Sequence, residues 1–161
     1  MNYRDFKPYS KISSLTLGGG GIGQVWGETT SEEAIKTVHS ALDHGINHFD
    51  VAPMYGKGEA ERIIGKSLNG LDADDLFFTT KCQLGTLPDT EVYDKLNDSL
   101  TRSLDNMKLE KVNLFLLHSQ LIEDNYKLYK FDEMRAKSAT TLSCFFNAAI
   151  PAFERLQKEG K

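Results

Sequence analysis

Apolar, strand-like runs recur along the chain at a nearly constant interval. They begin near residues 14, 46, 76 and 112, so successive starts are separated by 32, 30 and 36 residues. Each run is followed by polar or glycine residues and then by a helical pattern of apolar residues. A strand, its crossover helix and the next parallel strand together take about 30 residues. The spacing therefore predicts an α/β fold of four consecutive βα units with parallel strands.

Each interval between the strands carries a helix signal. Residues 30–33 read as a capping box, which predicts a helix that ends before Gly45. A second helix is expected to begin near Gly58, and a third follows Pro88. Pro151 is predicted to open a fourth helix, because proline fits the first position of a helix and disrupts its interior.

Two segments near the end of the chain have their own patterns. Residues 112–117 are apolar apart from Asn113, which is typical of a parallel strand covered on both faces. Residues 119–140 are rich in charge and tyrosine without a sustained period. That composition predicts a long loop with one helical turn.

Charge and composition exclude several classes of protein. The 19 basic and 23 acidic side chains leave a net charge of −4, so there is no basic surplus to bind nucleic acid or an anionic membrane. No apolar run approaches the roughly 18 residues of a membrane span. Charges within residues 1–8 argue against a signal peptide. With only two cysteines, we expect a reducing, cytoplasmic setting.

Ionisable side chains close three of the predicted strands. Strand two ends in Asp50, with Tyr55 just beyond it. Strand three ends at Lys81 and strand four at His118. Each residue alone would read as a solvated or packed side chain. Because the carboxyl ends of parallel strands line one rim, where active sites of such folds lie, we expect the four to meet there.

These four residue types suit proton transfer to a carbonyl oxygen. An ordinary phenol has a pKa of about 10, which is too high for easy proton exchange near neutrality unless a neighbour favours the phenolate. A lysine cation beside Tyr55 would do so, and Asp50 would hold the ammonium group of Lys81 in place. His118 would orient the carbonyl or share the proton. The set has no nucleophile, so it predicts an external hydride donor.

Four separated motifs resemble those of the aldo-keto reductase family. They are GINHFDVAPMYG at 45–56, GEAE at 58–61 with Ile64 and Gly65, FTTK ending at Lys81, and LFLLH ending at His118. The resemblance covers essentially the whole chain. It implies a (β/α)8 barrel that reduces aldehydes or ketones with NADPH or NADH and uses no metal ion. It also implies that Tyr55 donates the proton, that Lys81 and Asp50 tune it, and that His118 orients the small carbonyl substrate.

A glycine-rich segment follows the first strand. It contains a formal G-x-G-x-x-G at residues 18–23, but a dinucleotide fingerprint needs its last glycine to open a helix, and the first helix is predicted only after residue 30. By resemblance, Gly20, Gly21 and Ile22 are candidate contacts of the cofactor, together with Asp50. Trp26 is a candidate wall of the substrate pocket. A flexible turn and simple packing are the alternatives for these residues.

A barrel-based metal hydrolase is a weaker alternative. His48 and Asp50 are two apart and share a strand face, so they could act as ligands together with His118. No further histidine or carboxylate closes a strand in a metal-ligand pattern. Cys82 follows Lys81 directly and is expected to be a core thiol, and His39 and His44 are expected at the surface.

The length of 161 residues limits the expected activity. A complete (β/α)8 barrel takes about 250 residues, so 1–161 corresponds to the N-terminal half of such a domain. By resemblance, the rest of the cofactor site belongs to loops after strands five to eight, which are not in this sequence. Three interpretations follow: a fragment of a longer reductase, a half barrel that self-associates or pairs with another chain across its open edges, and a binding or assembly relative without activity of its own.

Overall fold

The computed structural model describes residues 1–9, 11–126 and 138–161. Its strands are β1 Tyr3–Asp5, β2 Lys11–Ser13, β3 Leu17–Gly18, β4 His48–Asp50, β5 Phe77–Cys82, β6 Leu114–Leu117, β7 Leu121–Ile122 and β8 Thr140–Thr141. Its helices are α1 Gly19–Ile22, α2 Ser31–Asp43, α3 Glu59–Ser67, α4 Asp89–Met107, α5 Leu142–Cys144, a π-helix at Phe145–Ala149, and α6 Ile150–Lys158.

Four strands form one parallel sheet in the order β3-β4-β5-β6. In the register, Leu17 lies beside Phe49, and Phe49 lies beside Phe78. The N–H of Asn113 donates to the carbonyl of Phe78, and farther along the same direction His118 donates to Cys82. Strand order equals chain order, and helices separate the strands. The predicted succession of βα units is therefore confirmed.

The capping box predicted at the start of α2 is present. The hydroxyl oxygen of Thr30 accepts the backbone N–H of Glu33 at 3.2 Å, and the Glu33 carboxylate accepts the backbone N–H of Thr30 at 3.0 Å. The two hydrogen bonds satisfy backbone donors that a helix end leaves open. The bonds from Thr30 lower the pKa of Glu33, because they favour its charged form.

The chain divides into two compact units. The first comprises residues 1–80 and 102–114. Phe49 and Phe78 stack in its core with ring centroids 5.7 Å apart. The β1–β2 hairpin, which the sequence did not indicate, is joined to this unit by Asn47, whose side chain accepts the N–H of Ser13 and donates to the carbonyl of Lys11.

The second unit comprises residues 81–101 and 115–161, of which 127–137 are outside the described part. Within it, α6 contacts α4 through polar side chains. The hydroxyl of Tyr93 donates to the Glu159 carboxylate at 2.9 Å, and the guanidinium of Arg155 lies 3.6 Å from the centre of the Tyr93 ring. The bond to Glu159 and burial both raise the pKa of Tyr93, burial having the larger effect.

Strand β6 is less covered than the sequence predicted. Its residues are half-buried or exposed, and Leu116 keeps 37% of its accessible surface, whereas every residue of β5 is buried. The physical reason is its place in the sheet, because among the described residues β6 is the last strand in the order and has β5 as its one neighbour. An apolar strand composition does not reveal whether a neighbour exists on its far side.

The final helix begins earlier than predicted. Pro151 is the second residue of α6, close to the first position predicted for it, but helical structure already starts at Leu142 and runs without a break into α6. The turn before the proline, Phe145–Ala149, has π-helical hydrogen bonding. A wider turn accommodates a residue that has no N–H and whose ring would clash with the carbonyl four residues earlier.

The segment predicted as a long loop, 119–140, contains a short pair of parallel strands. Leu121 lies beside Thr140 and Ile122 beside Thr141. One helical turn was also predicted within 119–140, and residues 127–137 of that range lie outside the described residues. Within the described ranges, no helix combines the length and apolar character that a bilayer crossing requires.

Candidate active site

Strands β3 and β4 end level with each other in the first unit, beside the middle of β5. Gly18 of β3 lies beside Asp50 of β4, and Asp50 lies beside Thr79 of β5. The N–H of Val51 continues the ladder by donating to the carbonyl of Thr79 at 2.9 Å. Asp50 is half-buried at this edge. The carboxylate therefore lies where the fold class places its chemistry.

Tyr55 lies in the turn that connects β4 to α3. Its N–H donates to the carbonyl of Ala52 at 3.0 Å, and its own carbonyl accepts the N–H of Ala60 in the first turn of α3 at 3.2 Å. The ring rests on Gly19, where a Cβ atom would lie only 3.0 Å from Cδ2 of Tyr55. Glycine at position 19 thus leaves room for the phenol ring, and a larger residue would have to displace the ring or the side chain of Val51.

The glycine-rich segment also contacts the Tyr55 turn through its backbone. A Cβ atom at Gly23 would lie 2.8 Å from the carbonyl oxygen of Tyr55. Gly56 has φ +66°, and a Cβ atom there would overlap the carbonyl oxygen of Gly23. The two segments approach so closely that only glycine fits on both sides.

The first strand is followed at once by a single helical turn, Gly19–Ile22, although no helix was predicted before residue 30. Gly20 and Ile22 are buried, whereas Gly21 is exposed. The space that a Cβ atom would meet differs among three of these glycines. At Gly20 it would lie 2.6 Å from the ring of Trp26, whereas at Gly18 and Gly21 no atom lies within 4 Å.

Trp26 lies over Gly20 and yet keeps 81% of its surface accessible. We expect Gly20→Ala to push the indole off the backbone and to lower its steady-state fluorescence anisotropy, since Trp26 is the only tryptophan. The stability should change by less than about 0.5 kcal/mol, because little apolar surface is lost. Gly21→Ala, which meets open space, serves as the matched control. Equal anisotropy in the two variants would show that the Gly20 contact does not hold the ring.

Lys81 and His118 belong to the second unit. Lys81 is the fifth residue of β5 and is 9% exposed, and His118 directly follows β6 and is half-buried. The backbone N–H of His118 donates to the carbonyl of Cys82, the neighbour of Lys81, at 2.8 Å. Cys82 is buried, as predicted. The structure thus brings together Lys81 and His118 at adjacent strand ends, while the meeting of all four candidate side chains stays a prediction.

His48 is engaged by threonines on both ring nitrogens. Nδ1 lies 2.8 Å from the hydroxyl of Thr16, and Nε2 lies 3.0 Å from the hydroxyl of Thr79. These contacts do not suit the metal-ligand role considered for His48 with Asp50. In the described part of the chain, no group of three histidine, cysteine or acidic side chains has the geometry of a metal site.

Four residues contribute to the placement of Tyr55 that the sequence did not reveal as such. Gly19, Gly23 and Gly56 act through contacts between segments more than 30 residues apart, for which sequence spacing carries no signal. Glu61 is different, because it is three residues before Ile64 and seven before Leu68, on the apolar stripe of the second helix. A charge on that stripe could have been recognised as unusual.

Comparison with known proteins assigns the family. The sequence model described as "Aldo/keto reductase family" matches residues 14–161. The chain therefore belongs to the aldo/keto reductase family, as its four motifs predicted.

Relatives with assigned names include dehydrogenases and reductases. L-galactose dehydrogenase of Arabidopsis thaliana is 29% identical over 153 residues, which are 94% of this chain and 43% of that protein. Aldo-keto reductase YhdN of Bacillus subtilis is 30% identical over 67% of this chain and 34% of its own length. The chain thus spans less than half the length of these relatives.

Solved structures give the same fold. An aldo-keto reductase from Bacillus halodurans in its holo form matches 99% of this chain and 47% of its own, with a TM-score of 0.70 and 21% identity. One from Klebsiella pneumoniae in complex with NADPH matches 94% and 44%, with a TM-score of 0.64 and 18% identity. The predicted fold class, four βα units of a (β/α)8 barrel, is confirmed.

Proposed function

We propose that this chain carries the proton-transfer part of an NAD(P)H-dependent carbonyl reductase. The observation that supports it most directly is the placement of Tyr55, which is packed on Gly19 just beyond the carboxyl end of β4. Membership of the family and the NADPH complex of the Klebsiella pneumoniae relative support the same chemistry. The substrate class is a small aldehyde or ketone.

The reaction needs a hydride and a proton from different sources. A reduced nicotinamide, when bound, would supply the hydride, with its two electrons, to the carbonyl carbon and would itself be oxidised. As the C=O π bond breaks, the developing oxyanion takes the proton of the Tyr55 hydroxyl, which leaves a phenolate. In this proposal Lys81 stabilises the phenolate, Asp50 holds the lysine, and His118 orients the carbonyl oxygen.

The open backbone of the glycine segment supports a site for the nicotinamide half of the cofactor. Gly18 and Gly21 leave their Cβ positions free, and Trp26 stands a few residues away. Since the described chain offers these contacts and the resemblance assigns the adenosine half to later loops, we expect reduced nicotinamide mononucleotide to bind about as tightly as NADPH.

Fluorescence of Trp26 tests this binding. Reduced nicotinamide absorbs where tryptophan emits, so either compound should quench the emission saturably, with dissociation constants within about fivefold of each other. Gly21→Val should weaken both by tenfold or more, equivalent to about 1.4 kcal/mol, because a branched side chain fills the open position. Quenching by neither compound, together with no oxidation of NADPH in the presence of an aldehyde, would contradict reductase activity of this chain.

A further inference from the structure

A carboxylate is buried in the first unit without a role in the chemistry proposed above. Glu61 lies in the first turn of α3 and has 0% of its surface exposed. Its neighbours Ala60, Ile63 and Ile64 are also fully buried. Glutamate is rarely found in this state, because removing a charge from water costs several kcal/mol unless hydrogen bonds compensate.

Both oxygens of Glu61 accept hydrogen bonds from different elements. Oε1 accepts the hydroxyl of Thr80 on β5 at 2.8 Å, and Oε2 accepts the side-chain amide of Asn106 on α4 at 3.0 Å. Thr80 also lies 3.5 Å from the hydroxyl of Ser103. One carboxylate therefore connects α3, β5 and α4.

The space around the Asn106 amide is shaped by glycine. A Cβ atom at Gly58, the residue before α3, would lie 3.0 Å from Nδ2 of Asn106. At Gly65 a Cβ atom would overlap the backbone carbonyl of Asn106. Helices α3 and α4 thus approach closely on both sides of the amide, so the Glu61 bond has little freedom to rearrange.

The same helical turn holds Tyr55. The N–H of Ala60, the residue before Glu61, donates to the Tyr55 carbonyl, and the N–H of Glu59 donates to the carbonyl of Gly56 at 3.1 Å. A Cβ atom at Gly19 would meet both Cδ2 of Tyr55 and Cβ of Ala60, at 3.0 and 3.2 Å. A shift of the first turn of α3 is therefore transmitted directly to the tyrosine.

We propose that Glu61 is a positioning residue for Tyr55: its carboxylate anchors the first turn of α3 to β5 and α4, and that turn holds the backbone of the proton donor. The functional meaning of this role rests on the proposed function. The anchoring itself is a property of the chain that can be measured without turnover.

Four variants separate the anchor from general loss of packing. Glu61→Ala removes both acceptors. Asn106→Asp places a second carboxylate against the first. Glu61→Gln combined with Asn106→Asp exchanges the donor and the acceptor. The amide of residue 61 can donate to the carboxylate of residue 106, and its oxygen can still accept from Thr80. Ser67→Ala removes another buried hydroxyl of α3, which donates to the carbonyl of Ile63.

The first readout is hydrogen exchange of the Ala60 amide, measured relative to the buried amide of Val38 on α2. We expect Glu61→Ala and Asn106→Asp to raise this relative rate at least tenfold, and the double variant to return it to within threefold of the native protein. The ring resonance of Tyr55 in ¹³C-tyrosine-labelled protein, assigned with Tyr55→Phe, should move and return in parallel. Ser67→Ala should lower stability and move neither signal.

Either of two results would overturn the proposal: an unchanged Ala60 rate and Tyr55 resonance in Glu61→Ala, or shifts of the same size in Ser67→Ala. Where NADPH oxidation is measurable, Glu61→Ala should lower kcat about tenfold or more in the native background and less than twofold in Tyr55→Phe. A loss of equal size in both backgrounds would also contradict positioning. Failure of the reductase proposal would appear separately, as native protein and Tyr55→Phe oxidising NADPH at the same rate.

Discussion

Tyr55→Phe is expected to lower the rate of aldehyde-dependent NADPH oxidation by about 100- to 10,000-fold, the usual contribution of a positioned general acid. The substitution removes only the hydroxyl group. Its ring should keep the same place, because the contact with Gly19 is made by Cδ2. Loss in kcat with little change in KM is therefore expected, as for a group that acts only in the transition state.

The control for this variant is Tyr93→Phe. Tyr93 also has a hydrogen-bonded hydroxyl, which donates to Glu159 directly after α6, and it has no part in the proposed chemistry. Its removal should leave NADPH oxidation within about twofold of the native rate. Equal rates of NADPH oxidation for the native protein and Tyr55→Phe would remove Tyr55 from the role of proton donor.

Gly56→Ala is expected to lower the free energy of unfolding by about 3 kcal/mol or more. A φ of +66° costs a residue with a Cβ atom about 1 to 2 kcal/mol, and the new atom would also collide with the carbonyl of Gly23. For a chain of this size the melting temperature should fall by roughly 6 to 12 °C. Urea or thermal unfolding followed by circular dichroism measures the change.

Gly70→Ala separates the cost of the positive φ from the cost of the collision. Gly70 has φ +80°, yet no atom lies within 4 Å of its Cβ position. It should therefore lose only the conformational part, about 1 to 2 kcal/mol. If the two variants lost the same free energy, the approach of Gly56 to Gly23 would have no energetic weight, and the glycine segment would not support the Tyr55 turn.

Regular elements near strong local signals were predictable. The capping box at Thr30 specified the start of α2, because the bonds that form it span three residues. The place of Pro151 in the first turn of α6 was also predictable, because proline fits the start of a helix. The helical residues before it, including the π-helical turn Phe145–Ala149, were not predicted from the sequence.

The site was predictable only in part. Asp50 and Lys81 were assigned to strand ends from the boundaries of apolar runs. In the structure Asp50 is the last residue of β4, and Lys81 is the residue before the last of β5. The packing that positions Tyr55 was not accessible in the same way. Gly23 and Gly56 look like ordinary turn glycines until two distant segments are brought into contact.

The sequence by itself determined the βα repeat, the family and the residue types available for proton transfer, because periodicity, caps and motifs depend on neighbours within a few positions. Tertiary structure alone decided that β6 is an exposed edge, that the glycine segment supports the Tyr55 turn, and that Glu61 is buried between Thr80 and Asn106. These features depend on contacts between residues 19 to 45 positions apart, and such contacts exist only once the chain has folded.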